Sequence, residues 1–100
     1  MTEAIENLRA KLNAETGRMG WNELARFFAR GVVIRVAPGL DLVEVAVGLA
    51  RDDKAALEGW MATGQVGRAC ADDAQAWQDR QAVFWAVVTA PWVLVQEITQ

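Results

Sequence analysis

The chain has 100 residues, 53% of them hydrophobic and 23% charged, which is the balance of an ordinary globular domain and excludes a mostly disordered chain. That length accommodates one core, so a single domain over residues 1–100 is expected. The formal charge is −3, with six basic and six acidic residues up to Ala50 and four against seven after it, a mixture that excludes a phosphate-tracking surface and with it a nucleic-acid partner.

The opening segment sets Ile5, Leu8 and Leu12 at helical spacing with Glu3, Glu6, Arg9 and Lys11 between them, which predicts a first helix ending near Gly17. Met19-Gly20 reads as a break. Leu24, Phe27, Phe28 and Gly31 then repeat the i, i+3, i+4, i+7 pattern, with Arg26 and Arg30 in the last turn, where cations favour the helix dipole, and Gly31 as the stop. Residues 32–36 form a β-branched run bounded by Gly31 and Pro38-Gly39 and read as a buried strand. Asp41, three residues before Glu44, has capping-box spacing and opens a helix over 42–51. Its circumference is mostly apolar, so it should be central.

Asp52-Asp53 opens a helix over 54–63 with Leu57, Trp60 and Met61 as its buried face and Gly64 as its end. Residues 66–70 form an extended piece able to join the sheet. Asp72 and Gln75 repeat the capping spacing for a helix over 72–80 with Trp77 inward. Residues 83–97 are rich in β-branched side chains and read as strand, with a bend, a bulge or an edge at Pro91, which has no N–H for a ladder. The expected fold class is α+β, a compact domain of about five helices on a small two- or three-stranded sheet whose strand directions stay open.

The apolar run Ala82–Val95 is 14 residues, interrupted by Thr89 and Pro91, against the ~20 a spanning helix needs. No membrane partner is expected. The acidic start Met-Thr-Glu-Ala-Ile-Glu lacks the basic and apolar regions of a signal peptide, and the lone Cys70 fits a reducing compartment. A cytoplasmic location follows as the expectation.

Trp21-Asn-Glu-Leu, Phe27-Phe-Ala-Arg-Gly31, Leu40-Asp-Leu-Val-Glu-Val-Ala46 and Asp52-Asp-Lys, followed by Trp85-Ala-Val-Val and Pro91-Trp-Val-Leu-Val-Gln96, together resemble the small bacterial domain-of-unknown-function family 2288. The similarity runs from about Lys11 to Glu97. It implies a short, cytoplasmic, single-domain bacterial protein and carries no activity and no catalytic residue with it.

Histidine and serine are both absent, which excludes Ser-His-Asp and Cys-His catalysis and every imidazole metal site. No catalytic residue, metal ligand or cofactor is therefore assigned. Asp41, Glu44, Asp52 and Asp53 group carboxylates that suit a cation or acid–base work, but helix starts need such acceptors anyway, and capping explains them better. Arg18, Arg26, Arg30 and Arg35 make the stretch from 18 to 35 locally positive. Arg26 and Arg30 read as helix-end residues that snorkel. Arg35 interrupts an apolar strand and needs either a partner, Glu44 or an Asp, or a ligand. Cys70 has Arg68 two residues away and reads as an inert buried thiol.

Five tryptophans without a tyrosine are more ring surface than so small a core encloses, so about three belong to the core and the others to the surface. Half-exposed tryptophans favour a protein interface, with Trp85 and Trp92 the candidates. The leading reading is a non-enzymatic protein-interaction module that binds another protein or itself, with the strand around Trp92 meeting its equivalent in a two-fold dimer. The alternative is a small anionic-ligand binder or enzyme in which Arg30 and Arg35 grip the anion and Asp41 or Glu44 serves as acid or base.

Overall fold

A computed structural model describes residues 2–98; the side chain of Glu3, read as part of a charged helix face, lies outside the described set. In chain order the elements are α1 (Thr2–Glu15), β1 (Gly17–Gly20), α2 (Trp21–Ala29), β2 (Val33–Val36) and α3 (Leu42–Ala50), then α4 (Lys54–Ala62), β3 (Val66–Arg68), α5 (Ala71–Asp79), β4 (Val83–Thr89) and β5 (Trp92–Glu97). The strands form one sheet in the order β1-β4-β5-β2-β3. β2 and β5 run parallel, with Ile34 opposite Leu94, and the other neighbours are antiparallel. The α+β class holds, but the sheet has five strands where two or three were expected.

Two strands account for the difference. β1, whose Gly-Arg-Met-Gly sequence reads as a break, is held by its ladder to residues 83–86 of β4. Residues 83–97 are two strands: Thr89 pairs with Trp92 across Ala90-Pro91, so the proline sits in a tight hairpin connection and not in a bent or bulged strand. The edge expected there is absent. β5 is hydrogen-bonded to β4 on one side and β2 on the other, and the edges are the short β1 and β3.

Local chemistry sets the helix ends. The Asp41 carboxylate accepts from the backbone N–H groups of Val43 at 2.9 Å and Glu44 at 3.4 Å, and Asp53 accepts from Ala56 at 3.2 Å. Gly31 closes α2 at φ 75°, a conformation that glycine adopts without strain. Gly48 lets α4 approach α3, since a Cβ there would stand 3.2 Å from the Trp60 ring. α5 begins one residue earlier than its expected cap. Cys70 is the N-cap, and Asp73 reaches back to its N–H at 3.0 Å.

Alternation along the strands sends side chains to two faces. On one, α1, α3 and α4 cover Val36, Val66, Val87 and Leu94 with Leu12, Val43, Val45 and Val47. On the other, α2 and α5 cover Val33, Phe84, Val93 and Val95 with Trp21, Leu24 and Trp77. Phe84, Leu24 and Leu94 are fully buried, each worth about 1.5–3 kcal/mol of transfer free energy. α4 is the exception to the expected burial. None of its residues is fully buried, and Met61 is 56% exposed. Among the described residues, no helix is long and apolar enough to cross a membrane.

Candidate functional site

Arg35 lies on β2, on the face covered by α2 and α5, and its neighbours across the sheet are Gly67 and Val95. Gly67 lies beside the guanidinium, and a Cβ there would meet Arg35 Nη2 in ordinary contact at 3.5 Å. The partner that the interrupted strand demands is Asp73 on α5, whose Oδ2 lies 3.2 Å from Arg35 Nε. Arg80, at the C-terminal end of α5, forks onto Glu97 of β5 with bonds of 2.7 Å from Nε and 2.5 Å from Nη2. The two pairs stand on the walls of one cleft of about 190 Å³, together with Pro38, Trp77 and Val95.

Asp73 is the electrostatic centre of this cleft. Partial burial works to raise its pKa, but the hydrogen bonds from the Cys70 N–H and thiol, with the nearby Arg35 charge, outweigh it and hold the carboxyl below its ordinary value. Cys70 itself is exposed, contrary to the buried thiol expected, and its Sγ lies 3.3 Å from Asp73 Oδ2.

The other candidate residues are dispersed. Arg30 is the C-cap of α2 and lines a different depression, beside Phe27, Val88 and Pro91 at the β4–β5 hairpin. Asp41 lines a groove of about 480 Å³ between α1 and α3 while its carboxylate caps α3. Glu44 pairs with Arg9 of α1. Arg30, Arg35 and Asp41 thus line three separate depressions.

Among the tryptophans, Trp21 and Trp77 are buried, Trp60 and Trp92 half-buried, and Trp85 is 42% exposed. Trp85 and its neighbour Val83, also exposed, alternate onto the same face as Val87 but stand outside its core cluster. Arg18, opposite Trp85 on β1, places its guanidinium carbon 5.8 Å from the ring centroid. Trp92 lies at the far end of the same face. Arg68 stacks over it at 5.5 Å, and it walls an almost wholly apolar groove of about 180 Å³ with Leu49, Leu57 and Met61.

Sequence reasoning missed Asp73, Arg80 and Glu97. A signal for Asp73 was present, since Cys70-Ala-Asp-Asp73 has capping-box spacing with cysteine in the place of serine. Nothing local marks Glu97 as the partner of Arg80.

Residues 7–97 match the model of a family described as "Protein of unknown function (DUF2288)". No curated protein matches. Among solved structures, the NMR solution structure of PA1075 from Pseudomonas aeruginosa is similar at 44% sequence identity and a TM-score of 0.84, over 100% of this chain and 93% of that one.

Proposed function

Since the chain belongs to the DUF2288 family, described as of unknown function, we propose that it is a non-enzymatic protein-interaction module of the bacterial cytoplasm, self-associating through the face on which Trp85 stands. One observation carries this reading: a tryptophan 42% exposed beside an exposed Val83 on a sheet face that the helices leave partly uncovered. Tryptophan in such a place is the residue type most enriched among interface anchors. A two-fold contact sets a patch against itself, and a patch that is apolar with one flanking arginine is self-complementary in a way that a strongly charged one is not. The cytoplasmic placement rests on the lone free Cys70. Pairing through a free edge of residues 92–97 is no part of the reading, because β5 has neighbours on both sides.

Static light scattering across a concentration series, with capture from a bacterial extract in parallel, tests the proposal. A mass that rises above the 11.0 kDa monomer supports it. A monomer at every concentration that also retains no protein from the extract overturns it. The second reading, a small-ligand site, is favoured by Arg35 alone.

A further inference from the structure

Arginine offers five N–H donors in a rigid fork. Arg80 directs two of them at Glu97, and Arg68 directs one at the Gly31 carbonyl at 2.6 Å. Arg35 differs. Its side chain is the most enclosed of the three ion-paired arginines, 36% exposed against 42% for Arg9 and 52% for Arg80, yet its one hydrogen bond is a 3.5 Å contact from Nη1 to the Gly64 carbonyl. Nε is buried beside Asp73 Oδ2, at an ion-pair distance of 3.2 Å, with no other partner. Asp73 shows the complement: Oδ2 accepts from the Cys70 N–H and Sγ, while Oδ1 accepts from no group among the described residues. Unused donors and an unused acceptor therefore stand side by side on the wall of one cleft.

The charge of that cleft selects among ligands. Arg35 and Arg80 balance Asp73 and Glu97, so a dianion such as phosphate meets two carboxylates and a bare cation meets two guanidinium groups. A molecule that brings both signs meets neither penalty. We propose that this cleft binds a small zwitterion with one carboxylate and one ammonium group, in the manner of a free α-amino acid. The Arg35 fork takes the carboxylate, Asp73 Oδ1 takes the ammonium, and the exposed ring of Pro38 borders an aliphatic side chain. This site is independent of the Trp85 face and survives or fails without it.

Titration of the isotope-labelled protein with L-valine, acetate, isopropylamine and inorganic phosphate, followed by amide and Arg35 Nε–H chemical shifts, tests the assignment. L-valine is expected to shift Arg35, Gly67 and Cys70 saturably, with acetate and isopropylamine at least about tenfold weaker. Arg35→Lys, which keeps the charge and loses the fork, and Asp73→Asn should each weaken valine binding about tenfold. The proposal is overturned if valine gives no saturable shift up to about 50 mM, if acetate or phosphate binds as tightly as valine, or if folded Arg35→Lys binds valine like the wild type. Should a variant not fold, the wild-type ranking of the four probes decides alone.

Discussion

Against one face of the sheet two helices cover all but Val88 of the strands' large apolar side chains, because Trp21, Trp77 and Phe84 fill the space with rings: Trp77 meets Phe84 edge-on at 4.9 Å and Trp21 at 6.0 Å. Against the other face three helices pack mostly valines and leucines and still leave Trp85, Val83 and Met61 at the surface. A ring covers more area per residue than a branched aliphatic chain and gains about 0.5–1.5 kcal/mol more from an edge-to-face neighbour. The aromatic face carries a charged cleft at its rim and leaves Val88 exposed at the hairpin, and the aliphatic face leaves Trp85 and Val83 exposed together. The proposed small-ligand site lies on the first and the proposed macromolecular contact on the second.

The contrast can be broken by truncation on each side. Trp77→Ala should destabilise the fold by about 3–5 kcal/mol, measured by urea unfolding, and Leu94→Ala, the fully buried counterpart on the aliphatic face, by about 2–5 kcal/mol. If Trp77→Ala proves the milder of the two, the aromatic layer is not what closes its face. Asp41→Ala removes the α3 cap alone and should lower stability by about 1 kcal/mol, a loss confined to the aliphatic side.

A pH series sharpens the comparison from the other face. The Asp73 carboxyl titrates lower in the folded protein than in the unfolded chain, so its contribution is fully present above the ordinary carboxylate range and is lost as pH falls through the lower folded value. Asp73→Asn should lower the melting temperature near neutrality and flatten its acid-side fall, so that variant and wild type converge at low pH. The idea fails if Asp73→Asn and the wild type lose stability in parallel on acidification.

Much of this architecture was legible because its signals are local. Asp41 and Asp53 cap the helices their spacing announced, Gly31 stops α2 in the left-handed conformation, and the interrupted run at Arg35 called for an acidic partner or a ligand, of which Asp73 is the acidic partner. What escaped depends on distant partners. Gly17–Gly20 is a strand only because β4 pairs with it, and β5 lies inside the sheet and not at its edge only because β2 flanks it. The same holds for the site: Arg80 and Glu97 are 17 residues apart and meet through the packing of α5 on the sheet, which no periodicity encodes. Family membership extended the sequence resemblance from Lys11–Glu97 to residues 7–97 without adding an activity.

Trp85 and Trp92, one exposed and one half-buried on the aliphatic face, offer the most direct test of the interaction reading. Trp85→Ala should lower stability by about 0.5–1 kcal/mol, the worth of its exposed contact with Arg18, whereas Trp92 is half-buried under Arg68. Sedimentation velocity of the wild type, Trp85→Ala and Trp92→Ala over one concentration series should show the wild type and Trp92→Ala rising above 11.0 kDa and Trp85→Ala remaining there. A wild type that stays monomeric, or a folded Trp85→Ala that associates as the wild type does, would contradict the account.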